Sequence, residues 1–146
     1  MEGFMKRYVL LVLISLAISL YGCAAPKTSI KPKISKAFGR SEFIVAEIPS
    51  HGLIGDGLAI AVGGGHNTEI LRQALLLLAA EGGEQYIAVI GSNHTLTKVV
   101  LINAVKEIPD NALQHLHIAF LGDQSAGAEL KPAVKRTGAE LVIVSL

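Results

Sequence analysis

The sequence predicts a three-layer α/β fold, with a mostly parallel sheet of four to five strands and about three helices. Two observations lead to this prediction. Short continuous apolar runs, typical of strands buried on both faces, alternate with segments of helical periodicity. Each helical segment also stops at glycine or proline. Such alternation favours parallel strands joined by right-handed crossovers, with helices on both faces of the sheet.

The predicted strands are five apolar runs: Ser41–Pro49, Leu58–Val62, Tyr86–Ile90, Leu116–Leu121 and Glu140–Ser145. Leu58–Val62 lies between glycines, so it is alternatively part of a glycine-rich loop. The order of elements resembles that of Rossmann-like and flavodoxin-like sheets. That resemblance implies ligand binding at the carboxyl ends of the strands, near a point where the strand order reverses.

The predicted helices are three segments with apolar residues at helical spacing: Asn67–Glu81, Thr95–Ile108 and Ala128–Thr137. Capping residues open the first helix, and a glycine pair follows it. Pro132 must lie near the first turn of the third helix, which places its start around Glu129. Ala74–Ala80 is apolar all round. Either this helix is deeply covered, or its outer side meets another subunit.

Residues 1–22 have the pattern of a secretory signal peptide. Lys6 and Arg7 precede Tyr8–Leu20, an uncharged run of thirteen residues. A membrane span needs about 20 apolar residues, so this run fits a signal core better. The sequence LYGC at positions 20–23 resembles the lipobox of bacterial lipoprotein precursors. The alternative is an uncleaved anchor helix with an incidental cysteine.

The lipobox resemblance implies a lipoprotein. The thiol of Cys23 would receive a diacylglyceryl group, and after removal of residues 1–22 it would be the acylated N-terminus, carrying fatty acids such as palmitate. Ala24, in place of aspartate, implies sorting to the outer membrane of a Gram-negative cell, with the protein facing the periplasm. The expected partners are the membrane, through Cys23, and either an envelope protein or a second copy of the chain.

Residues 23–40 are predicted to be a flexible basic tether, and residues 41–146 the folded domain. Ala24–Arg40 has five basic residues and no acid, whereas residues 41–146 have six basic and eleven acidic residues. The tether is therefore +5 and the domain −5. Pro26 and Pro32 predict an extended linker that lies either on lipid headgroups or an acidic partner, or in solvent. The acidic domain argues against nucleic acid as a partner.

Two predicted strand-to-helix loops share glycine, a His/Asn pair and threonine. They are Gly63-Gly64-Gly65-His66-Asn67-Thr68 and Gly91-Ser92-Asn93-His94-Thr95, with Asp123 in a third loop. A glycine-rich turn before a helix leaves N–H groups free for a small anion. The alternative is that these residues only form turns and caps. Neither loop is a dinucleotide fingerprint or a Walker loop, so no cofactor is expected.

Other combinations of chemically active residues are incomplete. His66, His94 and Asp123 suit a metal in type, but their spacing has no ligand pattern and no metal is expected. The segment around Ser125 lacks the first glycine of a hydrolase elbow, and no histidine follows it. His115 and His117 have alternating strand spacing, and they are expected on opposite faces of the sheet.

Taken with the lipobox, the lack of a complete catalytic set favours a binding or assembly component of an envelope complex. A small-anion binder, or a weakly marked enzyme that uses the two glycine loops, is the alternative.

Overall fold

The computed structural model describes residues 30–146, so the predicted signal peptide, Cys23 and the start of the tether lie outside the described residues. Pro32–Leu146 forms one compact unit. The elements within residues 30–146 are α1 (Ile30–Phe38), β1 (Ile44–Ile48), α2 (Gly52–Ala61), α3 (His66–Ala80), β2 (Gln85–Gly91), α4 (His94–Lys106), β3 (Leu116–Leu121), a 3₁₀ turn (Gln124–Ala126), α5 (Gly127–Arg136) and β4 (Glu140–Val144). None of these helices has the length and hydrophobicity needed to cross a membrane.

The four strands form one parallel sheet in the order β1-β2-β3-β4, which confirms the predicted α/β, Rossmann-like class. A sequential order with right-handed crossovers places every crossover helix on the same face. Because the strands lie in the sheet in the same order as in the sequence, the strand order does not reverse within residues 30–146. This part of the chain has no crevice of the kind that binds ligands where the order reverses.

The core lies between one face of the sheet and helices α2 to α5. Ile87, Val89 and Phe120 project from alternate strand positions into it and are fully buried. In the helical layer α4 is central, because it packs on α2, α3, α5 and β2. Since α5 packs on β4, helix α3 lies on the β1 side of α4. The three predicted helices are confirmed as α3, α4 and α5, with ends that differ by one or two residues.

The predicted strand at Leu58–Val62 is wrong. Leu58 to Ala61 form the last turn of α2, and Val62 follows as its C-cap residue. An apolar run of this length has no periodicity that separates a strand from a helix, and the glycines of α2 hide the helical pattern. Gly63–Gly65 consequently joins two helices rather than a strand and a helix.

The predicted extended tether is wrong over Ile30–Phe38, which is helical. Ile34 is only 1% exposed, and the Phe38 ring meets the Tyr86 ring edge-on with centroids 5.2 Å apart. Tyr86 alternates with the core residue Ile87, so α1 contacts the sheet face opposite the main core. Apolar residues at 30, 34 and 38 form one helical stripe among the lysines. The folded unit begins near Pro32 instead of Ser41.

Candidate functional site

The Gly63–Thr68 loop is closed by packing against α4. The Gly63 carbonyl accepts hydrogen bonds from the Thr68 hydroxyl at 2.7 Å and from the Asn103 amide at 3.2 Å. Gly64 has a φ of +92°, and a Cβ added there would overlap Thr68 and Val100. Glycine is therefore required at this position by the left-handed backbone and by the close approach to α4.

The Gly91–Thr95 loop does join a strand to a helix, as predicted. Asn93 is the N-cap residue of α4, and its Oδ1 accepts a hydrogen bond from the Leu96 N–H at 3.0 Å. Its Nδ2 donates to Asp56 Oδ2 at 2.8 Å. The side chain thus satisfies a free N–H group at the start of α4 and also ties this helix to α2.

Asp56, which the sequence analysis did not single out, is the centre of a polar cluster after β1. Its carboxylate accepts hydrogen bonds from the Ser50 hydroxyl at 2.6 Å, the His51 N–H at 2.7 Å and Asn93. The hydrogen bond from Ser50, followed by those from His51 and Asn93, lowers the pKa of Asp56 below its usual value. A carboxylate accepts about four hydrogen bonds, and three of them are already formed here. We therefore assign Asp56 the role of holding α2 in position.

The predicted anion-site residues do not surround a common point. Gly63 and Gly64 lie against the middle of α4, whereas Asn93 stands at its start. The seven helical positions from Asn93 to Val100 correspond to about 10 Å along the axis. Asp123 and His66 are exposed at the starts of other helical segments, and Asp123 caps nothing through its side chain. Anion binding by these loops stays a prediction.

Within residues 30–146, the candidate metal ligands and the candidate nucleophile likewise do not assemble into a site. Within residues 30–146, no group of three or more His, Cys, Asp or Glu side chains is arranged to hold a metal ion. Ser125 lies in the exposed 3₁₀ turn between β3 and α5. The part of the chain that the structure describes therefore contains no assembled version of the three-residue sets considered from the sequence.

A second polar cluster, also missed from the sequence, lies at the amino ends of the strands. His115 Nδ1 is 3.0 Å from Glu84, His117 Nε2 contacts the same carboxylate, and His117 Nδ1 is 3.0 Å from Glu140. The hydrogen bonds from His117 and then His115 lower the pKa of Glu84. The predicted placement of the two histidines on opposite faces is wrong, because residues two positions apart in a strand share a face and both histidines contact Glu84. His115 precedes β3 with a φ of +67°, which turns it toward Glu84.

Tyr86 connects this cluster to the end of α1. Its ring is stacked on His117 with centroids 4.4 Å apart and an interplanar angle of 7°. The guanidinium of Arg40 lies 4.2 Å from the Tyr86 ring centroid. A cleft of about 280 Å³ lies between Phe38, Tyr86 and His117. Stacking and cation–π contacts of this kind fix the orientation of the residues that follow α1.

Exposed large apolar side chains are confined to one region of the folded unit. Apart from Leu146, those within residues 30–146 belong to β1, α2, α3 and the residue after α2: Ile44, Val45, Leu53, Ile54, Leu58, Val62, Ile70 and Leu77. We call these eight residues the apolar margin. Leu53 and Ile54 are 95% and 82% exposed. The single charged residue of α2, Asp56, is buried in its own cluster, so the exposed surface of this helix is uncharged.

Among residues 30–146, every buried side-chain nitrogen or oxygen has a hydrogen-bond partner. The apolar margin, by contrast, leaves large apolar side chains exposed to solvent. Exposed apolar surface of this kind marks contact sites in proteins. Comparison of the chain with protein-family models, curated proteins and solved structures gave no match.

Proposed function

We propose that this protein is a lipid-anchored component of a bacterial cell envelope that binds a partner protein through its apolar margin. The observation that carries the proposal is the exposure of Leu53, Ile54 and Leu58 on a helix whose exposed surface has no charge. Burial of each such side chain is worth roughly 1.5–3 kcal/mol. A partner surface that covers α2 therefore gains substantial binding free energy.

Attachment through Cys23 is supported by the lipobox resemblance. Several acyl chains give stable anchoring, because one chain alone binds a membrane only marginally. The six residues 24–29 separate Cys23 from α1, and six residues reach at most about 21 Å. The folded domain would then stay close to the outer membrane, on its periplasmic side.

The exposed lysines of α1 would add to this attachment. Lys31, Lys33 and Lys36 all lie on the surface of the helix that follows the predicted lipid anchor. A basic side chain near an anionic membrane surface contributes about 1 kcal/mol. The apolar margin would remain available to an envelope protein within reach of the anchored domain.

The lipid anchor is tested by substitution of the single cysteine. In the Cys23→Ser chain we expect no incorporation of labelled fatty acid and accumulation of a larger, unprocessed precursor. The wild-type chain, labelled in parallel, should run at the mature size and fractionate with the outer membrane. Labelling that persists in the Cys23→Ser chain would contradict the anchor.

Partner binding is tested by site-specific photo-crosslinking in the intact envelope. A photoreactive residue at Leu53 or Leu58 should give a discrete adduct with another envelope protein. The same residue at Ala128, exposed on α5, is the matched control and should give none. The Ile54→Glu substitution should reduce the Leu58 adduct at least tenfold with little change in thermal midpoint, because Ile54 is exposed. Equal adducts from Leu53 and Ala128, or no adduct at all, would overturn the proposal.

A further inference from the structure

We propose that a second copy of this chain occupies the β1 end of the apolar margin, through antiparallel pairing of the two β1 strands. The inference rests on the proposed binding role of the apolar margin and names one of its occupants. It requires three properties of this end of the domain: an open strand edge, a self-complementary strand and a helix that continues the surface.

The strand edge is open within residues 30–146, where β1 pairs with β2 and stands at the end of the sheet. Strands of a parallel sheet are normally covered on both faces. Ile44, on the helix side, is 48% exposed, and Val45, on the opposite face, is 49% exposed. Neither layer therefore fully covers this strand, although Ile48 at its end is buried in the core.

β1 has little of the usual protection of an edge strand. Edge strands that face water commonly carry charged residues, above all lysine, or a proline or a bulge. Ile44–Ile48 has one charged residue, Glu47, and neither lysine nor proline, and its register with β2 runs without a bulge. Three of its five residues are valine or isoleucine, which favour pairing. The edge is therefore suited to accept another strand.

The sequence IVAEI is self-complementary about its central residue, Ala46. In an antiparallel pair centred there, Ile44 of one copy lies opposite Ile48 of the other, and Val45 lies opposite Glu47. Each of these pairs contains a β-branched residue, and the two Glu47 carboxylates are not opposite each other. A pair centred on Glu47 would instead place like charges face to face, which is unfavourable.

Helix α3 continues the surface on the helix side of the sheet. Ile70 and Leu77 are seven positions apart, so they lie on the same side of α3, and they are 52% and 70% exposed. α3 lies on the β1 side of α4. The twofold symmetry that relates the two paired β1 strands therefore places the two α3 helices next to each other. Their apolar side chains then pack on each other. This is the contact with another subunit that was one of the two alternatives for the apolar Ala74–Ala80 segment.

Cysteine crosslinking of the full-length chain tests this geometry. Directly opposed residues of an antiparallel pair have Cα atoms about 4.5–5.5 Å apart, within the range of about 4.4–6.8 Å for disulfides. The Ala46→Cys chain should therefore form a reducible dimer as its main species after mild oxidation. The wild-type chain has Cys23 as its one cysteine and gives the background. Ile44→Cys is the matched control, since its two copies would be about 13 Å apart along the strands.

A second measurement keeps the test independent of how well Ala46→Cys folds. Sedimentation of the purified full-length protein in detergent should show a dimer for the wild type. Val45→Glu, which places a carboxylate opposite Glu47 of the other copy, should raise its dissociation constant at least tenfold, and Ala128→Glu, which adds the same charge on α5, should not. A monomeric wild type, or equal crosslinking of Ala46→Cys and Ile44→Cys, would overturn the inference.

The two proposals fail in distinguishable ways. Adducts between Leu53 and another envelope protein, together with a monomeric wild type, would overturn the second-copy inference alone. Dimers linked through Ala46→Cys without any envelope-protein adduct at Leu53 or Leu58 would overturn the proposed function alone.

Discussion

Asn93 and Asn67 occupy similar positions in two similar loops, yet they differ in what they contact. Asn93 caps α4 and donates to Asp56. Asn67 lies one residue inside α3, whose N-cap residue is Gly65, and α3 has no side-chain cap. The likeness of the two loop sequences therefore does not extend to their structural roles.

This difference predicts unequal effects of alanine substitution. Asn93→Ala removes a helix cap, which should lower the free energy of unfolding by about 1–2 kcal/mol. Asn67→Ala is the control and should change it by less than about 0.5 kcal/mol, as usual for substitutions without such a feature. Urea denaturation of both chains measures the difference. Equal losses would show that the cap at Asn93 has no special weight.

Asp56 predicts how stability changes in acid. Its hydrogen bonds lower the pKa in the folded state, whereas an unfolded aspartate has a pKa of about 3.9. The carboxylate therefore stabilises the fold above pH ~3.9, and this contribution is lost as the pH falls through the folded pKa. The Asp56→Asn chain should be less stable at pH 7, and its stability should fall less steeply between about pH 5 and pH 2.

Thermal midpoints at a series of pH values give the slopes for this comparison. Asp123→Asn is the matched control because Asp123 is exposed and makes no capping hydrogen bond, so its slope should follow the wild type. Glu84, whose pKa is also lowered, contributes with the same sign in all three chains. Identical slopes for wild type and Asp56→Asn would contradict the role given to Asp56.

At the scale of elements, α1 replaces part of the predicted basic tether with a helix. Its lysines are exposed while Ile34 and Phe38 form an apolar stripe, so part of the supposed tether is an amphipathic helix. The aromatic contact of Phe38 with Tyr86 attaches the end of this helix to β2. The segment that separates the domain from Cys23 is shortened accordingly.

Removal of this contact should loosen α1. Aromatic pairs contribute about 0.5–1.5 kcal/mol beyond the area they bury, so Phe38→Ala should lower the free energy of unfolding by at least about 1 kcal/mol. Amide exchange in α1 should become faster relative to β2 and β3. Lys36→Ala, an exposed change in the same helix, is the control. Fast exchange of α1 in the wild-type chain would instead support the extended tether.

For the whole molecule, the sequential strand order decides which surfaces are available. The four helices α2 to α5 cover one face of the sheet, and α1 contacts the other. Neither layer fully covers β1, so the exposed apolar residues concentrate at that end. The candidate interaction surface is thus a consequence of topology, and no conventional ligand crevice accompanies it within the described residues.

Four of the five proposed strands and the three helices were predictable because their signals are local. Apolar runs, helical spacing and glycine or proline stops act within a few neighbouring residues. α2 was missed because glycines interrupt its pattern, and α1 because lysines surround its short apolar stripe. Both helices are stabilised by contacts with residues that are distant in the sequence, such as Tyr86 for α1 and Asn93 for α2, and local patterns do not reveal these contacts.

The sequence by itself determined the α/β class, the order of most elements and the resemblance of positions 20–23 to a lipobox. Only the tertiary structure decided which polar groups meet and which apolar groups stay exposed. Asp56 and Asn93 are 37 residues apart, and Glu84 and His117 are 33 apart, so only chain packing brings them together. Strand order has the same physical basis, because it depends on which distant strands pair, and it is what leaves β1 open at the edge.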